Sequence, residues 1–160
     1  MSFLVLVVGP RKAGKDTVVG GARVQLRGDS AFRFLRSADQ LFSMPLDRDL
    51  AAGRIVVVTV SPAAIPRARA IHPHVAVVSI SAPEDVLAGR RAAGGESEPK
   101  RHETPGEPDA FFHGGPDTYT IDNGGRPEIA IRQFVRILKR LAARKELTDG
   151  SALPLPSSAA

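Results

Sequence analysis

Three short apolar runs constrain the fold of this 160-residue chain more than any other feature. They read FLVLVV at 3–8, RIVVVTV at 54–60 and HVAVVSI at 74–80. A strand with one solvated face alternates apolar and polar residues, whereas a strand that is apolar throughout is covered on both faces. The sequence therefore predicts an α/β fold in three layers with a mostly parallel sheet. In such sheets ligands bind beyond the carboxyl ends of the strands.

Helical and weaker strand patterns fill the intervals between these runs. Helices are predicted from 15 to about 26, over 62–71 with Pro66 in the first turn, from 81 with Ser81 as the cap, and over 126–147; short strands are predicted at 31–35 and 118–122. The closing helix carries an apolar stripe made of Ile129, Ile131, Phe134, Val135, Leu138 and Leu141. The segment 37–53 has weak periodicity and supports no assignment.

Composition limits the domain organisation and the chemistry. A chain of this length is expected to form one domain, which we place at 1–147. Residues 92–116 are rich in Gly, Pro, Glu, Lys and His, which predicts a mobile lid-like segment, and 148–160 predict a disordered tail. The absence of cysteine excludes disulfides and thiolate chemistry. His72 and His74 flank a proline with no third ligand nearby, so we interpret them as a loop feature rather than a metal site.

The charge of the chain indicates an anionic partner without selecting nucleic acid. The formal net charge is +5, but the 22 lysines and arginines are spread along the chain. Neither an RNA-binding aromatic signature nor a helix-turn-helix pattern accompanies them, so nucleic acid is disfavoured. The sequence has no run of about 18 apolar residues and no signal-peptide pattern, so we expect no membrane association and a cytoplasmic location.

The first apolar run leads directly into the stretch GPRKAGKDT at 9–17. Gly9 and Gly14 would let the backbone curl so that its N–H groups face phosphate oxygens, with the positive end of the following helix behind them. Lys15 would reach the β- and γ-phosphates of a nucleotide. The position between a buried strand and a helix favours a phosphate-binding loop. The alternative is a glycine-rich turn in an ordinary α/β domain.

Asp16 departs from the usual loop, which has a hydroxyl residue at that position to bind Mg²⁺. A carboxylate can hold the ion directly or through water, because hard oxygen ligands suit it. Thr17 is a second candidate ligand. Without the ion, Asp16 would repel a triphosphate unless Arg11 or Lys12 in the same loop compensates its charge.

Four stretches together resemble the nucleoside-monophosphate-kinase-like P-loop kinases, and in particular the ribose 1,5-bisphosphate phosphokinase family related to guanylate kinase. They are GPRKAGKDT, VVVTVSPAAIPRARA, VVSISAPEDVLAGR and IDNGGRPEIAIRQFVRIL. The first is fairly specific and the other three count in combination. The resemblance covers most of 1–27 and 54–145 and implies the P-loop NTPase fold. It also implies an ATP- and Mg²⁺-dependent kinase that forms phosphoribosyl pyrophosphate in phosphonate metabolism.

The resemblance also implies roles for individual residues. ATP would be bound by the loop and by two residues at the end of the last strand, namely Gly9, Pro10, Arg11, Lys12, Ala13, Gly14, Lys15, Asp16, Thr17, Asp122 and Asn123. The last two, which would lie near adenine, also fit an ordinary turn. Candidate catalytic residues are Lys15, Asp16, Arg90 and Arg91; candidate acceptor-binding residues are Ser61, Arg67 and Arg69; and Asp16 and Thr17 would hold Mg²⁺. The four arginines also fit solvated helix faces.

Two departures from the family pattern keep a second function open. Only 26 residues separate Arg27 from Arg54, where the family has a longer acceptor-binding lobe. Gly94, Gly95 and Glu96 stand where lid arginines are expected. The first hypothesis is therefore an ATP-dependent kinase of a small phosphorylated acceptor. The alternative is a catalytically weakened nucleotide-binding module with a regulatory or scaffolding role.

Overall fold

The computed structural model describes residues 2–93 and 117–150, with side chains as far as residue 147. Its strands are β1 (Leu4–Val8), β2 (Phe32–Phe34), β3 (Ile55–Thr59), β4 (Val75–Ser81) and β5 (Thr118–Asp122). Its α-helices are α1 (Lys15–Gln25), α2 (Met44–Ala51), α3 (Ile65–Ile71), α4 (Glu84–Ala93) and α5 (Pro127–Gly150), and 3-10 turns span Ala38–Phe42 and Pro62–Ala64.

The five strands form one parallel sheet in the order β2-β3-β1-β4-β5. β1 is central, and all five of its residues are fully buried. Val5 and Val7 pack in a core with α1, α4 and α5, whereas Leu4, Leu6 and Val8 pack in a second core with α2 and α3. Each face of β1 therefore needs apolar side chains, which is why the run shows no alternation. The predicted three-layer α/β fold is confirmed.

The structure corrects three details of the sequence-based prediction. Ser81 does not cap a helix: it is the last residue of β4, and its carbonyl accepts a hydrogen bond from the Asn123 N–H at 2.7 Å. Ile129 is 52% exposed, because the buried stripe of α5 begins instead at Ala130 and continues with Phe134 and Leu138 at four-residue spacing. α5 also continues to Gly150, three residues beyond the predicted end of the helix at 147.

The segment left unassigned contains a helix, α2. Of its eight residues, Leu46 is buried and Leu50 is partly buried. Two apolar positions show too little periodicity to identify a helix from the sequence. Residues 92 and 93 of the predicted lid-like segment belong to α4, and its remainder, 94–116, lies outside the described residues, as does the predicted tail beyond 150. Among the described helices, none combines the length and the apolar character needed to cross a membrane.

Candidate nucleotide site

The phosphate loop occupies residues 9–14 between β1 and α1, at the carboxyl edge of the sheet. Gly9 has φ +150°, and a Cβ there would lie 2.0 Å from the Ile80 carbonyl oxygen of β4. Gly14 has φ +84°, and a Cβ there would lie 2.3 Å from the Asn123 Nδ2 atom. Both glycines are therefore required by backbone conformation and by the close approach of a neighbouring element.

The amino end of α1 faces the loop and offers N–H groups to an anion. Gly14 is the N-cap residue, in a left-handed conformation, and no side chain caps the helix. The first turn of an uncapped helix presents unpaired N–H groups and the positive end of the helix dipole. Lys15 begins the helix, and its Nζ atom donates to the Gly9 carbonyl and lies 3.5 Å from the Pro10 carbonyl oxygen. The ammonium group is thus held over the loop.

Two side chains from distant parts of the chain donate hydrogen bonds to backbone carbonyls of the loop. The Asn123 amide donates to the Ala13 carbonyl at 2.8 Å. Arg90 of α4 donates through one guanidinium nitrogen to the Lys12 carbonyl at 3.1 Å and through the other to the Asn123 carbonyl at 2.7 Å. These contacts connect the loop to α4 and to the turn that follows β5.

The candidate metal ligands both lie in the first turn of α1. Asp16 and Thr17 are exposed, so both could contribute an oxygen ligand to Mg²⁺. Carboxylate and hydroxyl oxygens are suitable ligands for Mg²⁺, which usually takes its remaining ligands from water and substrate phosphates. Within 2–93 and 117–150 no cluster of three or more His, Asp or Glu side chains could hold a metal by itself.

The remaining candidate residues are divided between the site and its surroundings. Ser61 lies just beyond the carboxyl end of β3, on the same edge as the loop. The Arg67 guanidinium of α3 stacks over the Phe42 ring, 3.9 Å from its centroid. Arg69 is half-buried on the same helix. Phe42 lies in the interval that the sequence left unassigned, and no local signal marks it as a partner of Arg67.

Arg91 and Asp122 make local contacts rather than contacts with the loop. Arg91 pairs with Glu84 on its own helix at 3.1 Å. Asp122 accepts a hydrogen bond from the Gly124 N–H at 2.8 Å. Such a bond to the backbone two residues on is typical of an ordinary turn, the alternative that the sequence left open for this residue. Neighbouring Asn123 is buried, with 3% exposure. Of the pair predicted to lie near adenine, Asp122 is therefore exposed, whereas Asn123 is buried against the phosphate loop.

The histidine pair lies at the opposite edge of the sheet. His72 and His74 precede β4 and line a cavity of about 250 Å³ together with Asp47 of α2. The Nε2 atom of His72 is buried without a hydrogen-bond partner. Because the strands are parallel, this amino edge is separated from the phosphate loop by the length of the sheet. The two histidines are therefore not part of the nucleotide site.

The fold and the loop define the class of protein, one with the P-loop NTPase fold. A central strand, a glycine loop and a helix form the phosphate-binding unit of P-loop proteins. The structure of a sugar kinase from Janibacter sp. is similar over 91% of this chain and 98% of that protein, with TM-score 0.56 at 19% identity. A gluconokinase from Sinorhizobium meliloti matches over 90% and 95%, with TM-score 0.55 at 18% identity. The predicted P-loop fold is confirmed.

Sequence comparison then identifies the family. No protein-family model matches the chain. The ribose 1,5-bisphosphate phosphokinase of Brucella melitensis is 30% identical over 179 positions, which cover 88% of this chain and 93% of that protein. The protein of the same name from Bradyrhizobium diazoefficiens is 33% identical, covering 89% and 90%. The chain belongs to the ribose 1,5-bisphosphate phosphokinase family, which confirms the family predicted from its motifs.

Proposed function

We propose that this protein is an ATP-dependent kinase whose acceptor is ribose 1,5-bisphosphate. The observation that carries the proposal is the phosphate loop itself: Gly9 and Gly14 are held in conformations that require glycine, and Lys15 lies over the loop carbonyls. Membership of the ribose 1,5-bisphosphate phosphokinase family supports the choice of acceptor. The loop lies at the carboxyl edge of a parallel sheet, where ligands bind in this architecture.

The proposed reaction is a single phosphoryl transfer. An oxygen of the acceptor's 1-phosphate attacks the γ-phosphorus of ATP, and the bond from that phosphorus to the β–γ bridging oxygen breaks. The products are ADP and phosphoribosyl pyrophosphate, and no oxidant or reductant is needed. Such transfers depend mainly on positioning and on stabilisation of negative charge.

The residues around the loop are suited to that task. The N–H groups of the loop and of the first turn of α1 would bind the phosphate oxygens, and Lys15 would turn from the Gly9 carbonyl to the β- and γ-phosphates. Asp16 and Thr17 would hold Mg²⁺, which when bound neutralises charge between those two phosphates. Arg11 and Lys12 add positive charge to the same loop.

The acceptor would lie across the sheet edge from ATP. Ser61 follows β3, and Arg67 of α3 is on the same side of the sheet as the Ala38–Phe42 turn, against which it stacks. A guanidinium stacked on an aromatic ring keeps its N–H edge available for a phosphate. We therefore assign Arg67, and with it Ser61 and Arg69, to the acceptor phosphates.

A second candidate function, nucleotide binding without transfer, is favoured by the arginines of α4. Arg90 is bonded to two backbone carbonyls and Arg91 to Glu84, so both candidate catalytic arginines are engaged by protein groups. In that case the chain would sense a nucleotide and transmit its presence to another protein.

The test measures ADP formation with Mg²⁺, with and without ribose 1,5-bisphosphate, and ATP binding by calorimetry. The kinase predicts acceptor-dependent turnover, and Lys15→Ala abolishes both turnover and ATP binding. Lys139→Ala, which removes an exposed lysine on α5, serves as the charge-matched control and should change neither. ATP binding without turnover would support the second candidate. Full ATP affinity in Lys15→Ala would exclude the phosphate-loop assignment.

A further inference from the structure

We propose that Arg90 and Asn123 are positioning residues that hold the phosphate loop in its binding shape before any nucleotide arrives. The inference rests on the proposed function in so far as the loop binds a nucleotide. It assigns Arg90 a different role from the transition-state contact that its place near the lid-like segment suggests. Both side chains donate hydrogen bonds to backbone carbonyls of the loop.

Asn123 is fixed from two sides. Its backbone N–H donates to the Ser81 carbonyl at the end of β4, and its side-chain amide donates to the Ala13 carbonyl at 2.8 Å. The side chain fills the space that a Cβ at Gly14 would occupy. Its Oδ1 atom is buried without a partner, so the orientation of the amide is set by the bond to the loop.

Arg90 joins the loop to the turn that holds Asn123. Its two terminal guanidinium nitrogens donate to separate carbonyls, those of Lys12 and Asn123, at 3.1 and 2.7 Å. The planar guanidinium can bridge two acceptors in a fixed geometry, which a lysine ammonium does not reproduce. Arg90 therefore supports the loop directly and also supports the residue that holds Ala13.

These contacts orient the N–H groups that would face phosphate. In a trans peptide the C=O and the following N–H point in opposite directions. Because Asn123 holds the Ala13 carbonyl, the Gly14 N–H points away from Asn123, where a phosphate oxygen could accept from it. Lys12 has φ +66°, an unfavourable conformation for a residue with a side chain, and the bond from Arg90 to its carbonyl stabilises that conformation.

The variant Arg90→Lys tests the proposal because it keeps the charge and removes the bridge. Amide hydrogen exchange at residues 13–16 is measured without nucleotide, and the ATP dissociation constant is measured by calorimetry without acceptor. We expect faster exchange and about tenfold weaker ATP binding, since charge-assisted hydrogen bonds are lost. Asn123→Ala should produce the same two changes. Arg136→Lys, at an exposed position of α5, is the matched control and should produce neither.

The outcomes separate the proposal from its rivals. Unchanged exchange and unchanged ATP affinity in Arg90→Lys, with kcat reduced, would overturn it in favour of a transition-state contact. If Asn123→Ala does not fold, Arg90→Lys decides alone. If the unaltered protein binds no ATP, the proposed function fails. The exchange measurement still decides the positioning role, because it requires no ligand.

Discussion

Substitution of Gly9 by alanine is expected to destabilise the fold as well as the nucleotide site. The new Cβ would lie 2.0 Å from the Ile80 carbonyl oxygen, whereas carbon–oxygen contacts normally lie at about 3.3 Å or more. Ile80 is fully buried in β4, which is paired with β1 on one side and with β5 on the other. The strand therefore has no room to withdraw.

The magnitude follows from two contributions. A φ of +150° is accessible almost only to glycine, and forcing another residue into such a region costs about 1–3 kcal/mol. Overpacking against a rigid neighbour costs about 1–3 kcal/mol more. Partial relaxation of the loop would reduce both contributions, so that they are not fully additive. We therefore expect the free energy of unfolding to fall by about 3 kcal/mol.

Urea unfolding measures this change, and α1 provides the control. Gly20 lies inside that helix with nothing within 4 Å of a built Cβ, so Gly20→Ala should raise the free energy of unfolding by about 0.5–1 kcal/mol. Glycine-to-alanine substitution is thus expected to lower the free energy of unfolding at Gly9 and to raise it at Gly20. If Gly9→Ala were as stable as the unaltered protein, the close approach of the loop to β4 would be refuted.

Two further predictions concern the acceptor and the core. Arg67→Ala should raise the KM for the acceptor about tenfold, since a charged contact is lost, and leave the ATP dissociation constant unchanged; equal weakening of both would place Arg67 elsewhere. Phe134→Ala removes a fully buried ring between α5 and the sheet and should lower the free energy of unfolding by about 3–5 kcal/mol in urea titrations. Ile129→Ala, at an exposed position of the same helix, should cost little, and an equal loss would contradict the observed orientation of α5.

Much of the fold could be read from the sequence because its signals are local. The uniform apolar runs predicted β1, β3 and β4, since a strand covered on both faces has no polar side. The helix α2 was not predicted, because too few of its residues are buried for the segment 37–53 to show a helical period. The stripe of α5 was predicted except at Ile129, where the rotation of the first turn depends on how the helix docks against α1 and β5.

The candidate site also has a part that could be predicted from the sequence and a part that could not. The sequence by itself predicted the phosphate loop at Gly9, Gly14 and Lys15, because their spacing and the strand before them are contiguous in the chain. Only the tertiary structure decided which side chains support that loop. Arg90 and Lys12 are 78 residues apart, and Asn123 and Ala13 are 110 residues apart. They meet because the order of parallel strands brings the carboxyl ends of β1, β4 and β5 together, an arrangement that no local pattern encodes.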